Sequence, residues 1–359
     1  MKRVVSLAAV LGAAFLLAAC GNIDRTSVDP SRAAQIESAT RLRTHTLTRA
    51  KEDQILALNP RHVTERDLRG ALAGAPAPRL ILIHGGIASV IPRMVSFSEF
   101  LTGMGYPSAS LRNPADGTYT FSCYEGSEKI AGAIAWYYEK EGLRPMMVGH
   151  SQGGFQIVKV LYLLASPPSQ KVHVWNPLTW NEEARTEITD PLTGRARPVA
   201  GLQLPYATSV AAGGLTRMLP NQWDMTLKLR LIPNSVEEFT GFYKGQDLLG
   251  GDFLGYGSSN LFKATGTARV RNVQLPSEWK HREIPDTKRL LKSQATIDRI
   301  NNYTPGDKSF VTVEPNADTL NPETMHLFWA EDVWYSLKKH WVIELQRLIR
   351  ARRALHGDS

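Results

Sequence analysis

Apolar and polar positions along the chain alternate between short unbroken apolar runs and longer amphipathic stretches. "RLILIHGG" (79–86) is a continuous apolar run closed by two glycines, which suits a parallel strand buried on both faces. "PRMVSFSEFLTGMG" follows, with Pro92 at a helix start and Phe97, Phe100, Leu101 and Met104 at helical spacing. "YPSASLRNP" then reads as a strand, "GSEKIAGAIAWYYEKEG" as a helix closed by Gly142, "RPMMVGHS" as the next strand, and Gly154 to Ala165 as another helix. Strand, helix, strand, helix, strand predicts an α/β fold. Its central sheet is mostly parallel, helices cover both faces, and loops at the carboxyl ends of the strands build the site.

Beyond that helix the pattern loosens. "KVHVWNPLTW" reads as a further sheet strand, and residues 180–232, with a "DPLTG" turn, are expected to form an inserted cap over the site. "EEFTGFY" and "ARVRNVQL" read as later strands, the second followed by a short loop and a long helix that closes the fold. "WYSLKKHWVIELQRLIRARRAL" near the end is an amphipathic helix, expected to lie on the core with its charges solvated. The expected organisation is a leader over 1–19, a polar tether over 20–77 ending in the Ala/Pro-rich "LAGAPAPR", a main domain over 78–302 and a C-terminal helical extension over 303–359. In this reading the strand-like "SFVTV" need not belong to the main sheet.

Composition bounds the picture without changing it. At 359 residues, 43% hydrophobic and 21% charged, the chain is long and apolar enough to bury a full core. The first residues, "MKRVVSLAAVLGAAFLLAAC", pair a positive start with an apolar stretch too short for a membrane-spanning helix. This segment resembles a bacterial lipoprotein signal. The resemblance implies cleavage before Cys20, lipid on its thiol, and a place in the cell envelope, with Gly21 similar to the outer-membrane sorting class. With Cys20 so used, Cys123 has no thiol partner, and no internal disulfide is expected. The net charge of +8 suits a soluble basic surface or adhesion to anionic head groups near the anchor, and an exported lipoprotein is not expected to bind nucleic acid.

One stretch carries chemistry. In "MMVGHSQGG", Ser151 stands between Gly149 and Gly153, after an apolar run and before a helix. This spacing fits a sharp strand-to-helix turn in which the serine backbone is strained and its neighbours must lack a Cβ. "HGG" (84–86) lies at the end of an earlier strand. Together the two motifs resemble the nucleophile elbow and oxyanion loop of the α/β-hydrolases, in the esterase/lipase group of serine hydrolases, over roughly residues 78–302. The resemblance implies Ser151 as nucleophile, and the backbone N–H groups of Gln152 and Gly86, with Ile87 as alternative, as oxyanion donors. His84 and His150 are expected to position loops. The family order Ser, acid, His leaves His281 and His326 as candidate bases, with His281 favoured for its place between a strand and a closing helix. Asp247 and Asp252, in "YKGQDLLGGDFLGYG", are both candidates for the acid that orients the imidazole.

No H-E-x-x-H motif is present, and "GGDFLGYG" lacks the G-x-G-x-x-G spacing, so neither metal nor nucleotide cofactor is expected. The expected activity is cleavage of a small-molecule or lipid carboxylic ester through an acyl-enzyme. An acyltransferase using the same residues, or an idle envelope-binding lipoprotein, are the alternatives.

Overall fold

The computed structural model describes residues 47–212, 225–250 and 260–356. The expected signal segment 1–19, Cys20 and Asp252 lie outside the described residues.

Six parallel strands form the central sheet: β1 (Leu80–Ile83), β2 (Met146–His150), β3 (Leu204–Val210), β4 (Val236–Lys244), β5 (Arg269–Leu275) and β6 (Phe310–Thr312), adjacent in chain order. Helices connect or flank them: α1 (Arg49–Leu56), α2 (Ile91–Gly103), α3 (Ser127–Glu141), α4 (Gln152–Leu164), α5 (Gln294–Asn302) and α6 (Leu327–His356). The protein is therefore α/β, with a layer of helices on each side of a parallel sheet. Successive strand residues point to opposite faces. Leu80, Leu82, Met146 and Val148 pack in one core cluster with residues of α2 and α6, whereas Ile81, Ile83 and Met147 pack in the other with residues of α3 and α4. β1 and β2 are buried at every position, which is why these two strands read as apolar runs.

The sheet order reverses once. From β1 the chain runs out to Phe121, which bridges Ile83 in parallel on the far side of β1, and then returns through α3 to β2 on the near side. At such a reversal the connections leave adjacent strands in opposite directions, opening a crevice at their carboxyl ends. "HGG" follows β1 there, and Ser151 follows β2.

Several expected elements are corrected. "YPSASLRNP" carries only a 3-10 turn at Ser108–Ser110, since Pro107 and Pro114 lack the N–H that a sheet edge would use; Phe121 makes the edge pairing instead. "KVHVWNPLTW" does not join the central sheet: Trp175–Asn176 pairs antiparallel with Asn181–Glu182 in a small ribbon. The supposed cap 180–232 contains β3, a fully buried strand between β2 and β4, so that range is not one insertion. Its polar hairpin, Glu187–Thr189 with Ala196–Pro198, masked the run "LPYATSV" that follows. The helix closing the fold after "ARVRNVQL" is a 3-10 turn, Lys288–Lys292, followed by the short α5.

The ends of the chain are also more deeply built in than the sequence suggests. Ile55, Val63, Leu72, Ala75 and Ala77, within the expected tether, belong to the core. Residues past 302 supply β6 and the 30-residue α6, whose Trp329, Trp334 and Trp341 are fully buried. α6 also clasps the N-terminal segment. The Gln346 side-chain amide donates to the carbonyls of Ile55 and Leu58, the Trp341 indole to Pro76, and the buried Lys338 ammonium to Val63 and Asn301. Among the described residues, no helix is long and apolar enough to cross a membrane.

Candidate active site

Ser151 sits between β2 and α4 with φ 53° and ψ −123°, a left-handed backbone that costs a non-glycine residue roughly 1–3 kcal/mol. The surroundings hold it there. Its N–H donates to the Val210 carbonyl at 2.9 Å, and its own carbonyl accepts from the Gly154 N–H at 2.9 Å. So tight a turn brings backbones together, and a Cβ on Gly153 would lie 2.3 Å from the Ile83 carbonyl oxygen. A Cβ on Gly85 would lie 2.8 Å from that of Ser151, which places the loop after β1 directly beside the serine.

β5 delivers His281, and β4 delivers Asp247. The imidazole Nε2 of His281 lies 2.9 Å from Ser151 Oγ, and its Nδ1 lies 2.7 Å from Asp247 Oδ2. A carboxylate only accepts, so Nδ1 carries the proton and Nε2 presents a lone pair to the serine hydroxyl. Both His281 and Asp247 are buried. Burial would push the Asp247 carboxyl up, but the hydrogen bond and charge of His281, the Gly250 N–H and the nearby Lys244 together hold it below its ordinary value. The arrangement can take the serine proton onto His281 and stabilise the resulting imidazolium.

The oxyanion candidates lie at the same carboxyl edge. Gln152 is the first residue of α4, where the helix offers its N–H no internal acceptor. Gly86 follows β1, and its carbonyl accepts from the Tyr124 hydroxyl at 3.2 Å. The His84 ring places Nδ1 2.8 Å from the Gly85 carbonyl.

His326 stands elsewhere. Its Nδ1 accepts from the Arg289 guanidinium at 3.0 Å, and its ring packs edge-on against Trp279, centroids 4.8 Å apart. Burial, reinforced by the Arg289 charge, lowers its pKa to about 3. Trp279, two residues before His281, donates its indole N–H to Thr319 at 2.8 Å. His326 thus braces the loop that carries His281.

Sequence reasoning missed Tyr124, Gly250 and the brace formed by Trp279 and His326. Gly250 had a usable signal: it stands three residues after Asp247, where a Cβ would press to 2.6 Å from the carboxylate. Tyr124 meets Gly86 only through the fold and leaves no local trace. Among the described residues no group of three His, Cys, Asp or Glu side chains is arranged to hold a metal ion, and Cys123 is buried and in no disulfide. No model of a known protein family matches the chain, and no curated protein matches it.

Proposed function

We propose that the protein is a serine hydrolase of the α/β-hydrolase fold that cleaves carboxylic esters through an acyl-enzyme on Ser151. One observation carries the reading: a strained serine at a strand-to-helix turn, in line with His281 at 2.9 Å and Asp247 at 2.7 Å beyond it. In acylation, Ser151 Oγ bonds to the ester carbonyl carbon as its proton passes to His281 Nε2. The N–H groups of Gln152 and Gly86 receive the oxyanion. Collapse of the tetrahedral intermediate breaks the bond to the alkoxy oxygen, which leaves as the alcohol with the proton from His281. Water then attacks the acyl-enzyme, giving its proton to His281, which returns it to Ser151 as the carboxylic acid departs. Asp247 keeps the imidazole in the required tautomer throughout.

A fluorophosphonate probe tests this directly. Wild-type protein should label at Ser151 and turn over p-nitrophenyl butyrate; a folded wild type that does neither overturns the reading. We further propose attachment to the envelope, facing the periplasm at the outer membrane, through lipid on Cys20. Cys20→Ala should move the protein from membrane to soluble fraction, and retention of the variant in salt-washed membranes would sink that assignment.

A further inference from the structure

Adjacent residues hold the two ends of His281. Ser151 meets the ring at Nε2, while the Nε2 of His150 lies 2.7 Å from the His281 backbone carbonyl oxygen. A carbonyl can only accept, so the His150 proton sits on Nε2, leaving a bare lone pair on Nδ1. That Nδ1 is buried without a hydrogen-bond partner. A histidine tolerating such a site in the core is held there by its other nitrogen.

We propose that His150 is a positioning residue whose Nε2–H fastens the His281 peptide to the serine turn and so sets the distance between His281 Nε2 and Ser151 Oγ. The inference rests on the hydrolase reading. Its geometry is a closed loop: from Ser151 through one peptide bond to His150, across the hydrogen bond to the His281 carbonyl, out along the imidazole, and back to Ser151 Oγ. Anchoring the carbonyl restrains the peptide from which the His281 side chain leaves the backbone. Asp247 then fixes ring rotation, leaving the Nε2 lone pair one place to point. Without the His150 bond, the ring would depend on Asp247 and the serine alone, and sub-ångström drift of a reacting pair is costly in rate.

The same bond suits the charge that develops. The two imidazole centroids are 5.0 Å apart, and a cationic His150 would oppose protonation of His281. Burial pushes the His150 pKa down to about 3, with the charges of His281 and His84 acting in the same direction; the bond to the His281 backbone and the Asp247 charge oppose it. His150 therefore stays neutral wherever the serine chemistry runs.

The test compares the full-length wild type with His150→Phe, which fills the site without a donor, and His150→Gln, whose side-chain amide can reach the same carbonyl. Phe should lower kcat for p-nitrophenyl butyrate and the rate of fluorophosphonate labelling by ~30-fold or more, leaving KM within roughly threefold. Gln should recover most of the loss even where its Tm is no higher than that of Phe. A merely structural role would make activity follow Tm, with no rescue by Gln. An active wild type with a folded Phe variant equally active overturns the role of His150 alone, whereas an inactive, unlabelled wild type overturns the hydrolase reading. Should the Phe variant fail to fold, nitrogen-15 NMR of wild-type histidines decides: a His150 protonated on Nδ1 overturns the proposal, and one protonated on Nε2 supports it.

Discussion

The carbonyl oxygen of Ile83 occupies the space a β-carbon on Gly153 would need, 2.3 Å from its ideal position. Neither partner can yield cheaply, because the carbonyl belongs to β1 and the glycine to the first turn of α4. Gly153→Ala should therefore destabilise the protein by about 2–3 kcal/mol, as overpacking against backbone does. Urea denaturation would show it, and an unchanged midpoint would mean that β1 and α4 are not held so closely in solution.

Strain at Ser151 separates activity from stability. Ser151→Ala removes the proposed nucleophile and should lower kcat by ~10^3-fold or more, with little change in Tm. Ser151→Gly should be equally inactive yet more stable by about 1 kcal/mol, because glycine adopts φ 53° without the penalty serine bears. Thermal unfolding of the two variants side by side distinguishes strain from side-chain packing; equal Tm values would remove the strain argument.

The two candidate bases make opposite predictions. His281→Ala should abolish both turnover and fluorophosphonate labelling. His326→Asn, chosen because asparagine tolerates the positive φ of 72° found there, should retain ester hydrolysis within about tenfold. Loss of labelling in the folded His326 variant, with survival in the His281 variant, would reverse the assignment of roles.

Acid should unfold the protein through buried imidazoles. His150 and His326 bind protons near pH 3 in the folded state but near 6.5 when unfolded, so between these values the unfolded state takes up more protons and stability falls as pH falls. Asp247, held below its ordinary 3.8, loses its stabilising effect in the same direction lower down. Glu331 acts oppositely. Burial pushes its carboxyl up to about 7, with Arg299 pulling it down and Asp332 adding to the rise, so protonation between 7 and 4.5 favours the fold. The steepest loss is thus expected below pH 4.5, and His326→Asn should flatten it. Parallel stability curves for variant and wild type would show that His326 is not buried in its neutral form.

What was legible in the sequence was what local geometry dictates. β1, β2 and the glycines around Ser151 announced themselves because a doubly buried strand and a strained turn each require particular residues at particular positions. Asp247 and Asp252 were indistinguishable, because which carboxylate reaches His281 is set by where β4 ends in space. β3 went unread for a different reason: "LPYATSV" mixes Thr208 and Ser209 into a buried strand, and Thr208 satisfies its hydroxyl by donating to the Thr240 carbonyl across the sheet. α6 looked like an appended amphipathic helix with solvated charges because charged residues recur along its whole length, but Glu331, Asp332, Lys338 and Glu344 are buried. Glu344 pairs with Arg144, a partner 200 residues away.

Removing the C-terminal segment tests how integral it is. A chain ending at Asn302 lacks Trp329, Trp334 and Trp341 from one of its two core clusters and should not fold, emerging aggregated or protease-sensitive. A soluble, cooperatively unfolding truncated protein would show the segment to be an addition after all.

The clasp between α6 and the N-terminal segment also orders events during synthesis. Ile55, Leu58, Val63 and Pro76 leave the ribosome early, yet the side chains that hold their carbonyls, Lys338, Trp341 and Gln346, are made 265 to 291 residues later. Until then one face of the sheet has α2 but not α6, and the segment from Ile55 to Pro76 lacks the side chains that hold its carbonyls. The segment made first can thus reach its final place only once α6, near the end of the chain, has been made.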